Sequence, residues 1–113
     1  MTALLAQSLA IAAMLWGPPA CGTPTVVYDN DLPPATLGYA DRRSCTIDLA
    51  PSRPAPYDTP ASLCTTIVHE WGHLAGRGHS TNPRSVLYSR QLQPYWRCRD
   101  RWREPIAVLV DQL

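Results

Sequence analysis

The chain has 113 residues, ten cationic and nine anionic side chains, and a formal net charge of +1. That balance excludes a global electrostatic attraction to nucleic acid or to an anionic membrane, and the length fits one small domain. A domain this size buries roughly two thirds of its surface and is only marginally stable, so four cysteines and any bound metal are candidate braces.

Residues 1–17, MTALLAQSLAIAAMLWG, are apolar and Ala-rich. Leu5, Leu9, Ala12 and Trp16 fall on one helical stripe, with Leu4, Ile11 and Leu15 beside it. Gly17, Pro18 and Pro19 then stop the helix. A signal or anchor segment is the competing reading. Against it, no Lys or Arg forms a basic start, and Pro18 sits poorly before a cut after Ala20. The helix is preferred. No segment reaches the ~18–20 apolar residues of a membrane-crossing helix.

Residues 24–58 form the sheet region. Thr25-Val26-Val27-Tyr28 is β-branched and aromatic and predicts a short strand. Asp29 to Ala35 is a turn, and Leu37 to Ala40 is a second short strand. After the polar turn Asp41–Ser44, the run Cys45–Leu49 alternates, with Cys45, Ile47 and Leu49 on one face. Ala50 to Asp58 is a Pro-rich loop.

Residues 59–76 form the central helix. Thr59 is its N-cap and Pro60 its first residue. Leu63, Ile67, Trp71 and Leu74 form a core stripe on a different face from His69 and His73. Gly72 costs about 1 kcal/mol against Ala, which close approach of neighbouring backbone would offset. Residues 77–113 form a C-terminal part. In it, Pro94 to Arg103 interleaves arginines with aromatics, read as a solvated arginine face with Trp96 and Trp102 packed inward. Nucleic-acid contact through that segment is not expected. Ile106 to Leu113 predicts a final short helix or strand.

Four cysteines allow three pairings, and the sequence does not choose among them. Cys45–Cys64 would tie the third strand to the central helix, worth roughly 3 kcal/mol by loop closure. Cys21–Cys98 would then tie the front of the sheet to the C-terminal part. Free thiols in a reducing compartment are the alternative. Pairing favours export, although no cleavable signal peptide is convincing.

The chemistry is concentrated in His69-Glu70-Trp71-Gly72-His73-Leu74-Ala75-Gly76-Arg77-Gly78-His79, which reads HExxHxxGxxH. Histidines four apart share one helix face, about one turn apart, and can bind one Zn²⁺. Glu70 flanks that position without ligating it, which suits a general base acting on water. Gly76 is placed to end the helix in a left-handed conformation, and Gly78 keeps the turn permissive. The chain then reverses and returns His79 as a third ligand. Three protein ligands leave a fourth position open, as in catalytic zinc sites. All three histidines of the chain lie in this motif.

The motif continues as His79-Ser80-Thr81-Asn82-Pro83-Arg84-Ser85-Val86-Leu87-Tyr88. Over residues 63–88 the chain resembles the matrixin-like branch of the metzincin zinc metallopeptidases. It departs from that pattern at Leu87, where the family has the methionine of the Met-turn, and at Ser89, where Pro is usual. Leu and Met have similar volume, and such swaps cost under ~1.5 kcal/mol, so the hydrophobic floor is expected to persist. The resemblance implies an α+β, minimal metzincin-like zincin, with a small twisted sheet, an edge strand over the active-site helix and a short C-terminal subdomain. It implies one catalytic zinc on His69, His73 and His79, with Glu70 as catalytic base, and nothing indicates a structural calcium. It implies that the strand just before the helix is the edge that pairs with extended substrate, which puts Ile47 beside the substrate, and that Tyr88 lines the pocket after the cut bond. The expected partner is a peptide or protein substrate, and the expected state is a monomer. A zinc module that binds extended peptide without cleaving it is the alternative.

Overall fold

The computed structural model describes residues 2–102. The expected element at Ile106–Leu113 lies outside the described residues. Six elements follow in order: α1 (Thr2–Trp16), β1 (Thr25–Tyr28), β2 (Gly38–Asp41), β3 (Thr46–Leu49), α2 (Pro60–Leu74) and α3 (Trp96–Arg101). Among the described residues no helix is long and apolar enough to cross a membrane. The architecture is α+β, with a three-stranded mixed sheet and helices packed on α2.

The helix α2 begins as its sequence dictates. The Thr59 hydroxyl accepts from the Ser62 amide at 3.1 Å, and Pro60 occupies the first turn, where a missing N–H costs nothing. Leu63, Ile67, Trp71 and Leu74 are buried, as are Cys64 and Val68. α2 is enclosed on several sides, because the sheet, α1 and α3 all pack against it.

The sheet order is β1-β3-β2, with β1 parallel and β2 antiparallel to β3. This corrects the expectation for the strand before the helix: β3 is central, and the edges are β1 and β2. Ile47 and Leu49 share the face of β3 turned toward α2 and are fully buried in the core. Ile47 therefore faces the core and is not among the residues that line the cleft. The strand that borders the cleft is β2, through Gly38, Tyr39 and Ala40.

The disulfides are Cys21–Cys45 and Cys64–Cys98, not Cys45–Cys64 and Cys21–Cys98. Parallel pairing explains the first. Cys21 precedes β1 and Cys45 precedes β3, so the two meet at one end of the sheet, where the Thr25 amide donates to the Cys45 carbonyl at 3.1 Å. The second follows from the chain returning across α2: the Tyr95 amide donates to Thr65 Oγ1 at 2.8 Å, which brings Cys98 of α3 onto Cys64.

α1 packs on α2 through a stripe one step from the expected one. Leu4, Ser8 and Ala12 are buried, Leu5, Leu9, Ile11 and Trp16 flank them, and Leu15 is exposed. The end of α1 is stitched to α2 by two indole bonds. Trp16 Nε1 donates to the Val68 carbonyl at 2.9 Å, and Trp71 Nε1 donates to the Gly17 carbonyl at 2.8 Å. Gly72 leaves room for side chains, not backbone: a Cβ there would stand 2.7 Å from Leu87 Cδ2 and 3.2 Å from the Trp16 ring. Trp96 is half exposed instead of packed inward, whereas Trp102 does pack against the core.

Gly38 sets the spacing between β2 and α2. A Cβ there would lie 2.6 Å from Thr66 Cγ2, 3.0 Å from the Asp48 carbonyl and 3.3 Å from Glu70 Cγ. The backbone carbonyl cannot rotate away, so Gly38→Ala is expected to cost about 1–3 kcal/mol, read as a lowered urea midpoint. Replacing Cys64 and Cys98 together by Ala opens a 34-residue loop and is expected to cost about 3–4 kcal/mol. Non-reducing peptide mapping checks the pairing directly.

Candidate metal centre

His69 and His73 project from the last turns of α2, and His79 returns from beyond the helix end. The return depends on how the helix terminates. Gly76 adopts φ +91°, in the left-handed region where a side chain is strained. Its amide donates to the His73 carbonyl at 3.0 Å, and the Arg77 amide donates to the Gly72 carbonyl at 2.9 Å. These two bonds make a Schellman cap. Gly78, by contrast, takes no positive φ. Arg42, on the turn after β2, adds a cap by donating to the His73 carbonyl at 3.0 Å.

One ring nitrogen from each histidine lies within 4.8 Å of the others. The ring centroids are 4.7 Å (His69–His73), 5.4 Å (His69–His79) and 4.8 Å (His73–His79) apart. Two backbone carbonyls fix the tautomers. His69 Nδ1 lies 2.7 Å from the Val86 carbonyl and His73 Nδ1 lies 2.8 Å from the Arg77 carbonyl. A carbonyl only accepts, so both Nδ1 atoms carry the proton. Their Nε2 atoms then face each other at 3.0 Å, lone pair to lone pair when both rings are neutral. That contact is repulsive unless a proton or a cation lies between. Burial pushes His69 below its ordinary pKa, with the Val86 carbonyl opposing and His73 and His79 adding to the shift, which works against the proton. The three residues fit a metal ion, and neutral imidazole donors oriented by carbonyls suit a divalent transition metal such as zinc, copper, iron or nickel.

Glu70 is buried at the same end of α2, its Oε2 3.9 Å from His69 Nε2. Burial raises its pKa from 4.5 to about 7. A cation on the histidines would draw it back down.

The segment after His79 closes the site from below. The Ser80 amide donates to the Leu87 carbonyl at 2.9 Å, and Ser80 bridges to Tyr88. Ser80, Asn82 and Ser85 side chains accept from the amides of Asn82, Arg84 and Leu87 at 3.0 Å each. Leu87 is buried and packs against Gly72. This turn also supplies the Val86 carbonyl that orients His69.

A cleft of about 810 Å³ runs past the triad. β2 forms one wall and residues 85–93 the other, and Glu70, the three histidines and Tyr88 line it. Sequence reasoning missed four contributors. Gly38 carried the signal of a glycine inside a strand. Gln91 carried none, yet it fastens the far wall: its Oε1 accepts from the Ser62 hydroxyl at 2.6 Å, its Nε2 donates to Thr66 Oγ1 at 3.1 Å, and its carbonyl accepts from Tyr57 at 3.2 Å. The orienting carbonyls of Val86 and Arg77 are backbone and have no residue signature.

His79→Ala is expected to weaken zinc binding at least about 100-fold while the fold persists, since His79 is exposed; competition with a colorimetric chelator measures it. Comparison of the chain with protein-family models, with curated proteins and with solved structures gives no match.

Proposed function

We propose that the chain is a zinc endopeptidase of metzincin-like design, which holds its ion on His69, His73 and His79 and uses Glu70 as general base. One observation carries the reading: three imidazoles converge at the floor of an open cleft with a buried carboxyl beside them that ligates nothing. A purely structural site would be closed by a fourth protein ligand, and among the described residues no fourth side chain joins the cluster.

Zinc, when bound, supplies Lewis-acid polarisation of the scissile carbonyl and of the attacking water. The remaining work belongs to the chain. The outer edge of β2 offers backbone N–H and C=O groups to an extended substrate, which lies along the cleft as an added strand. Gly38 brings that edge close to Glu70, so a bond held there passes over the triad. Glu70 takes a proton from the attacking water and returns it to the leaving amine. Tyr88 lines the opposite wall and shapes the pocket for the side chain beyond the cut bond. Leu87 supports the triad from beneath through packing alone.

The test is cleavage of a mixed peptide library by zinc-loaded wild type, beside Glu70→Gln and a chelated sample. Wild type is expected to cut; Glu70→Gln is expected to lose about 10²–10⁴-fold in rate while retaining zinc, and chelation to abolish turnover. Zinc retention with no cleavage by wild type would leave a peptide-binding module in place of a peptidase.

A further inference from the structure

Arg77, Arg84, Arg90, Arg97, Arg99 and Arg101 are six of the chain's ten arginines, and Asp100 is the one acidic residue between positions 77 and 101. The sheet region has the opposite bias, with five aspartates against three arginines over residues 29–58. A net charge near zero therefore conceals an uneven distribution. The arginine-rich strip reaches the cleft at Arg90, which with Glu70 and the histidines makes up the charged and titrating part of its lining.

Arg90 is exposed on the wall opposite β2, and its side chain makes no hydrogen bond or ion pair among the described residues. The same holds for the side chain of Arg84, on the turn beneath the triad. The two segments are fastened together, because Gln93 Nε2 donates to the Pro83 carbonyl at 3.2 Å. Further along the strip, Arg97 stacks on Trp96 at 4.4 Å and Arg101 on Trp102 at 5.5 Å to the ring centroids. Aromatic stacking positions a guanidinium without neutralising it.

We propose that this strip is an exosite for acidic polypeptide, so that preferred substrates carry Asp or Glu beside the segment in the cleft and Arg90 and Arg84 recognise them. The inference rests on the peptidase reading for the cleft's occupant. Polypeptide fits better than nucleic acid on two counts. The strip is continuous with a cleft whose other wall is a strand edge, and the pI of about 7.7 lies below the value near ~9 or more that marks nucleic-acid-binding domains. Arg97 also covers one face of Trp96, the face a base would use.

The experiment measures binding to zinc-loaded Glu70→Gln, which holds peptide without turning it over, and cleavage by zinc-loaded wild type. Three labelled peptides share one apolar centre and carry Glu, Gln or Lys flanks. At about 50 mM salt the Glu-flanked peptide is expected to bind about tenfold tighter than the Gln-flanked one, and at about 500 mM the gap should close. Adding Arg84→Glu and Arg90→Glu is expected to reverse the order in favour of Lys flanks. In the wild-type background Arg84→Glu alone, at a position outside the cleft lining, should leave cleavage of the Gln-flanked peptide within about twofold. Equal affinity for Glu and Gln flanks, or an order unmoved by the charge reversal, overturns the exosite. So does a single-stranded DNA oligomer that binds more tightly than the Glu-flanked peptide. Arginine-dependent binding of acidic peptide without any cleavage by wild type sustains the exosite and defeats the peptidase reading. Cleavage of all three peptides at one rate does the reverse.

Discussion

Two imidazole N–H groups held by two backbone carbonyls are the constraint on which the site depends. Val86 fixes the ring of His69 and Arg77 fixes that of His73, and both carbonyls lie C-terminal to α2. The helix alone supplies two histidines on one face. It does not decide which nitrogens point inward. That decision belongs to the chain that leaves the helix, reverses at Gly76 and is pinned under the site by the Ser80–Leu87 bond. The Schellman cap therefore does more than end a helix. It delivers the Arg77 carbonyl to His73 within the turn that sends His79 back toward the triad.

α2 is the hub because every other layer fastens to it by a different kind of bond. α1 uses the two indole hydrogen bonds and a small-residue contact at Ser8 and Ala12. The C-terminal segment uses Cys64–Cys98 and the Ser62–Thr66–Gln91 network. The sheet uses apolar burial of Ile47 and Leu49 and the bare Cα of Gly38. A short chain has little core to spare, and this division gives both cleft walls a direct anchorage on the element that carries the histidines and Glu70.

What the sequence made legible was local. Thr59-Pro60 announces a helix start by capping chemistry, Gly76 announces its end, and four-residue spacing puts two histidines on one face. The chain shows each of these features. What stayed hidden depended on partners distant in sequence. Nothing in Thr25–Tyr28 or Thr46–Leu49 states that the two strands lie side by side in parallel, and that pairing decides both the central place of β3 and the Cys21–Cys45 bridge. Apolar periodicity misplaced the inner stripe of α1, because the buried position is a serine whose small size, not its polarity, fits the helix contact. Gln91 is invisible for a similar reason: its role exists only once the C-terminal segment lies across Ser62 and Thr66.

The electrostatic character of the site follows from the placement of its four side chains. Two facing lone pairs at 3.0 Å and a desolvated carboxyl 3.9 Å from one of them are each unfavourable alone. Burial raises the pKa of Glu70 and lowers that of His69, so both groups tend toward their neutral forms when nothing positive is near. A cation among the three imidazoles relieves both strains at once, by accepting the lone pairs and by stabilising the carboxylate. A core built for packing alone gains nothing from placing these four side chains together beside an open cleft. A positive charge in the space they surround would offset that desolvation and crowding.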